Sequence, residues 1–222
     1  MTDPIDPGVA GNERLTALAS AGLLVLLVIE LASTPTLSAL LPAHIFIGLL
    51  LAGPLTLKLG SVAYRFVRYY AGSAEYVRKG PPRLALRLLA PLLVATTLFL
   101  MGTGVALVVT GPDDPGPFVG LHNLTFVLWL PLFAIHLFAY VRRVPSLAAA
   151  ELRALDVPGR ALRIDLSAGA LLFGAIAAVA ALRGAAPWGA PDVLNQALPG
   201  PVIAGTFVTV LALLLTRPLR WT

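Results

Sequence analysis

The chain has 222 residues, 58% hydrophobic and 12% charged, with a formal net charge of +5 and no cysteine. Such a composition forces long apolar runs, which excludes an ordinary soluble domain and also a disordered chain, whose signature is low hydrophobicity with high charge. Without cysteine there are no disulfides, thiolate metal sites, iron–sulfur clusters or covalently attached haem, so any metal must be held by His, carboxylate or carbonyl.

A spanning helix takes about 20 mostly apolar residues, and six such runs occur in order at 15–38, 41–64, 86–110, 118–141, 162–182 and 200–217. The expectation is an all-α membrane protein, a six-transmembrane-helix bundle in which residues 1–222 form a single transmembrane domain. The first run reads as a span and not as a signal peptide, because Asp3, Asp6 and Glu13 stand where a basic leader would be and no small-residue cleavage site stands out.

Orientation follows from the basic residues. Arg14, the group from Arg65 to Arg87, the group from Arg142 to Arg163, and Arg217 with Arg220 make fourteen of the 16 basic residues, and all fall on one side if the spans alternate. The opposite loops hold Asp113, Asp114 and Asp192, with Arg183 as their one basic residue. The positive-inside rule then places both termini inside, N-in and C-in. The net charge is thereby assigned to topology, and no nucleic-acid partner is expected. Only two of the basic residues are Lys, which with the Ala and Leu load suggests a GC-rich bacterial genome, so the expected location is a bacterial inner (cytoplasmic) membrane. The outer loops Gly111–Pro117 and Gly184–Pro201 are rich in turn-forming Pro and Gly. On the inner side, Ser146 to Leu155 reads as a short amphipathic surface helix started by Ser146.

The three histidines, His44, His122 and His136, all lie in predicted spans, and an ionisable residue in hydrocarbon points to function. His122 and His136 are 14 positions apart, about 40° short of four helical turns, so they share one face of span 4 at a separation of about 21 Å. His44 begins span 2 as His122 begins span 4, and both spans run inward, so the two imidazoles match in depth near the outer face. Facing imidazoles suit the axial positions of an iron macrocycle, each giving one nitrogen to the metal while the other donates to a backbone or hydroxyl partner. The expected cofactor is therefore haem b held by His44 and His122, with His136 as a candidate ligand deeper in. Gly48, one turn below His44, and Gly102 and Gly104 in span 3 offer clearance for a flat group, or simply tight helix crossings.

The stretch Leu121-His122-Asn-Leu-Thr-Phe-Val-Leu-Trp129 through His136, with Pro42-Ala-His44-Ile-Phe-Ile-Gly48, resembles the bacterial integral-membrane cytochromes b. These include the cytochrome subunits of membrane formate dehydrogenases and hydrogenases, and ferric-reductase-like transmembrane proteins. The resemblance covers spans 2 to 4. It implies one haem, or two, and electron transfer between a partner oxidoreductase and quinone or another acceptor, in the lipid bilayer and open to oligomerisation. In two-haem members His136 would have a histidine partner at position 58, which here is Lys58. Lys58 reads as a neutral-amine iron ligand, as the mark of a degenerate inner site with no haem or a five-coordinate one on His136, as a lysine snorkelling to the inner surface, or as a salt-bridge or polar neighbour of a cofactor.

Arg142, with Arg143, Arg65, Tyr64 and Tyr140, stands where the propionates of an inner haem would need partners. Glu30 reads as an interface carboxylate, the alternative being a proton acceptor or quinone contact beside the outer haem. Asp165 is expected to complement its helix N-terminus or to pair with Arg163. No dinucleotide or phosphate loop, nucleophile motif or attached soluble redox domain occurs, so electrons would arrive from and leave to other molecules. The competing expectation is a cofactor-free membrane scaffold or transporter whose histidines are polar contacts between helices.

Overall fold

A computed structural model describes residues 7–34, 37–153, 156–189 and 200–216, and every regular element in them is helical. The helices are α1 (Pro7–Ser33), α2 (Leu37–Leu50), α3 (Ala52–Tyr70), α4 (Ala74–Lys79) and α5 (Leu84–Thr110), followed by α6 (Phe118–Tyr140), α7 (Arg143–Arg153), α8 (Arg160–Ala180) and α9 (Leu182–Ala185). A 3₁₀ turn, Ala186–Gly189, precedes α10 (Gly200–Thr216).

Among the described residues, five segments are long and apolar enough to cross a membrane: α1, the joined α2–α3 from Leu40 to Tyr70, α5, α6 and α8. The sixth expected span corresponds to α10, a shorter apolar helix of 17 residues, which at 1.5 Å per residue extends about 25 Å. Helix α1 starts at Pro7, where a missing N–H costs a helix nothing, and so extends eight residues ahead of the expected span. Asn12, Glu13 and Arg14 are therefore helical. Asp3, Asp6, Asp192, Arg217 and Arg220, on which part of the topology argument rests, lie outside the described residues, as does Leu155.

The second span is kinked at Leu51. Pro54 has no N–H to offer the Leu50 carbonyl and its ring crowds that oxygen, so the helix opens between α2 and α3. The flanking bonds survive, Leu51 N–H donating to Ile47 O and Leu55 N–H to Leu51 O, both at 3.0 Å. The bend brings this span onto α8. A Cβ on Gly53 would stand 1.8 Å from the Ala170 carbonyl oxygen, and one on Gly174 would stand 2.2 Å from the Leu50 carbonyl oxygen. Only glycine allows the backbones to touch there, and Gly174 places its Cα against the oxygen that Pro54 cannot serve.

The helices form two groups. In one, α1 packs on α2, α3 and α7, while α8 covers α2 and α3; in the other, α6 lies between α5 and α10. Between the long helices of the two groups the main contact is α2 on α5. Ion pairs close one end. Glu151 on α7 is completely buried and takes Arg14 from α1 at 2.9 Å and the Arg163 Nε from α8 at 2.7 Å. Glu13 pairs with Lys79 and, at 3.0 Å, with Arg143. Arg163 thus belongs to Glu151 and not to Asp165, and α7 begins at Arg143, three residues before Ser146, which caps nothing and bonds back to Arg143 O. These contacts gather Arg14, Lys79, Arg143 and Arg163 at one end of the bundle, as alternating spans require. Nearby, a hydrogen bond within Glu75 itself and the Arg68 guanidinium, 2.6 Å away, hold the Glu75 carboxyl below the usual carboxylate range. At the other end Gly111 ends α5 with φ 77°, and Trp188 Nε1 donates to Leu107 O at 3.2 Å.

Two outcomes follow for the detergent-solubilised protein. Gly53→Ala or Gly174→Ala should lower the thermal midpoint, by the ~1–3 kcal/mol typical of overpacking, whereas Gly60→Ala, with open space around it, should not; equal effects at all three positions would contradict the close crossing. Glu151→Ala leaves two arginines facing a buried gap and should cost about 3–5 kcal/mol, read as loss of monodisperse protein on heating.

Candidate functional site

Between the two helix groups lies a cavity of about 1570 Å³, larger than the ~300–1,000 Å³ of ordinary small-molecule sites. It extends from Asp113 and Trp188 at one end to Arg65, Arg87 and Arg143 at the other, and His44, Lys58, His122 and His136 all line it.

His44 on α2 and His122 on α6 meet across this cavity. Their ring centroids are 6.4 Å apart and the ring planes are perpendicular. The matched depth inferred from the sequence thus corresponds to actual proximity. Each ring is held through Nδ1. That of His44 lies 3.0 Å from Glu30 Oε1 and 3.4 Å from Ser33 Oγ, and that of His122 lies 3.1 Å from Thr103 Oγ1.

The partners fix the tautomers. Thr103 Oγ1 gives its one proton to a carbonyl of its own helix, Leu100 O at 2.9 Å or Phe99 O at 3.0 Å, so toward His122 it can only accept. Ser33 Oγ likewise donates to Glu30 O at 2.6 Å, and a carboxylate oxygen accepts. With Thr103 and Ser33 donating to those carbonyls and Glu30 ionised, both imidazoles carry their proton on Nδ1 and present an Nε2 lone pair. An acceptor bonded to the far ring nitrogen orients metal-binding histidines in this way.

Glu30 corrects an expectation. It is not a carboxylate with its head in the interface but is 9% exposed, with Oε1 on His44 and Oε2 buried without a hydrogen-bond partner. Glu30 and His44 lie on different helices, so hydropathy and spacing match their depth without pairing them. Gly48 lines the cavity, and a Cβ there would come 3.1 Å from Glu30 Oε1, so its small size makes room for the carboxylate. On the facing side the residue against His122 is Gly104, whose Cβ would stand 3.3 Å from His122 Cε1. Gly102 is exposed with nothing within 4 Å of its Cβ position, and it does not line the cavity.

Further in, His136 and Lys58 line the cavity from α6 and α3 and interact electrostatically. His136 packs against the Tyr140 ring at 5.0 Å. At the basic end Arg143, and not Arg142, lines the cavity, although both are exposed. Phe126, Trp129 and Phe133 occupy the same face of α6 between the two histidines, Trp129 and Phe133 stacked at 4.7 Å with an 8° tilt. Trp129 Nε1 donates to Thr97 Oγ1 at 2.9 Å, which fixes this face against α5.

No three His, Cys, Asp or Glu side chains among the described residues cluster as a metal ion bound by protein alone would need. Two facing imidazoles suffice for a metal that brings its own equatorial ligands. No protein-family model, curated protein or solved structure matches the chain.

Nitrogen-15 NMR of histidine-labelled protein from haem-deficient cells reads the tautomers directly. His44 and His122 should both appear as Nδ1–H, and Thr103→Val should shift His122 alone toward a tautomer mixture; Nε2–H at both rings would contradict the assignment.

Proposed function

We propose that this protein is an integral b-type cytochrome, in which haem b held by His44 and His122 carries electrons between a partner oxidoreductase and quinone or another acceptor. The observation that carries the reading is the spacing of the two rings. With metal–nitrogen bonds of about 2.0–2.1 Å and a ring nitrogen roughly 1.1 Å from its own centroid, two imidazoles on opposite sides of one metal have centroids about 6.3 Å apart. The centroids of His44 and His122 are 6.4 Å apart.

The residues fit the group in three further respects. Both imidazoles have Nδ1 bound to an acceptor and Nε2 free to ligate, the cavity between them is lined largely by apolar side chains, and Gly104 leaves space beside His122. Haem iron, when bound, supplies a one-electron couple whose potential depends on its axial ligands and their hydrogen bonds. The chain's own residues orient the ligating nitrogens and surround them with largely apolar side chains.

In this reading α10 is the sixth span. Both termini, with the gathered basic residues, face the cytoplasm of a bacterial inner membrane by the positive-inside rule.

The alternative, histidines acting only as polar contacts between helices, accounts for the Nδ1 bonds. Those bonds join α1 to α2 and α5 to α6, which are neighbours in sequence. They do not explain why the two rings meet each other across the seam between the helix groups.

Haem quantification on protein purified from cells with ample haem tests the proposal. At least one haem per chain with a low-spin spectrum is expected, and His44→Ala or His122→Ala should each remove it. Protein that stays colourless after haem addition, or variants with wild-type spectra, would overturn the reading.

A further inference from the structure

Four cations line the basic end of the cavity: Arg65 on α3, Lys79 at the end of α4, Arg87 on α5 and Arg143 at the start of α7. Among the described residues lining that end, Glu13 is the one carboxylate; Glu30 sits on His44, and Asp113 lies at the far end. Glu13 is taken by Lys79 and, at 3.0 Å, by Arg143. Arg87 Nη2 donates to the Tyr70 hydroxyl at 3.0 Å and reaches no carboxylate, a bond that pins the start of α5 to the end of α3. Arg65, five residues and about 7.5 Å before Tyr70 on the same helix, makes no hydrogen bond or ion pair among the described residues. Every other described arginine that is not exposed has an acceptor: Arg14, Arg68 and Arg163 reach carboxylates, and Arg160 reaches two backbone carbonyls.

These cations are too far from His44 and His122 to serve the same ligand, since Arg65 and Arg143 each come 21 residues after the histidine of their own span, roughly 30 Å along a helix. The cavity also opens sideways at this end. Phe66 and Leu88 belong to its lining yet are exposed, and the helix groups, joined mainly by α2 on α5, have no comparable contact between α3 and α5 or α6. The positive-inside rule accounts for basic residues at one end of the bundle, but it does not require four of them to line an interior cavity around a single carboxylate. We propose that the basic end of the cavity binds an anionic glycerophospholipid, with Arg65 and Arg87 on its phosphate and its acyl chains along the apolar opening beside Phe66 and Leu88. Basic pockets between membrane helices take anionic lipid headgroups, and the planar fork of an arginine matches phosphate oxygens. A free anion would meet the charge and leave the apolar opening unfilled; a phospholipid fills both. The site does not depend on the haem reading.

The test is native mass spectrometry of the delipidated full chain, titrated in detergent with phosphatidylglycerol or with phosphatidylcholine of the same acyl chains, with haem content measured on the same samples. Wild-type protein should retain one phosphatidylglycerol saturably and prefer it to phosphatidylcholine by about fivefold or more. Arg65→Gln and Arg87→Gln should each weaken phosphatidylglycerol binding by about fivefold, the share of one cation beside an anionic headgroup. Arg142→Gln, at the same end but outside the cavity lining, should leave it unchanged. If Arg65→Gln does not fold to a monodisperse protein, Arg87→Gln and the comparison of the two lipids on wild-type protein still decide the matter.

Equal retention of the two lipids by wild-type protein, or equal losses in Arg142→Gln and Arg87→Gln, would overturn the proposal by reducing the effect to ordinary surface charge. Displacement of phosphatidylglycerol by an equal concentration of glycerol 3-phosphate would overturn it in favour of a free anion. Loss of haem in Arg65→Gln and Arg87→Gln would overturn it by assigning these arginines to haem carboxylates. In His122→Ala protein without haem, wild-type retention of phosphatidylglycerol is expected, and loss of that retention would contradict a separate lipid site.

Discussion

An imidazole inside a membrane has to give its N–H to something, and what receives it decides which nitrogen remains for chemistry. In this chain the groups placed to receive it are the buried Glu30, when ionised, and the Thr103 hydroxyl, whose own proton can go to its helix, an arrangement that leaves Nε2 of His44 and His122 unprotonated. Because His44 and His122 come from different helix groups, the arrangement is fixed only if those groups hold a set distance. The rest of the fold serves that distance.

At the basic end Glu151 and Glu13 tie α1 to α7, α8 and α4, which braces the first group. At the other end Trp188 and α9 lean on the end of α5. Within the first group the Pro54 kink and the Gly53–Gly174 crossing press the second span onto α8, so its other face is left for the cavity. Within the second, Trp129 is locked to Thr97, which sets the rotation of α6 and with it the direction of His122 and His136.

Much of this was legible in the sequence, because hydropathy and helical period act locally. The spans α5, α6 and α8 fall within two residues of their expected bounds, and the depth argument for His44 and His122 needed only helix starts and direction. Rotation about the helix axis was not legible. Gly102 and Gly104 differ by about 200° on a helix, and Arg142 and Arg143 by about 100°, and in both pairs the second residue lines the cavity. Glu30 with His44, and Glu151 with Arg14 and Arg163, pair residues whose proximity exists only after folding. The Leu51 kink has a local cause in Pro54, but the contact it makes with Gly174 involves a helix more than a hundred residues away.

In the proposed function two imidazole nitrogens, one from each helix group, ligate a single iron. Pulsed electron paramagnetic resonance on oxidised, haem-loaded protein carrying nitrogen-15 only in histidine measures this directly. The account predicts two strongly coupled histidine nitrogens on a low-spin centre, falling to one in either single variant at position 44 or 122 that retains haem. An iron centre with no coupled histidine nitrogen, or with a coupling unchanged in both variants, would contradict it.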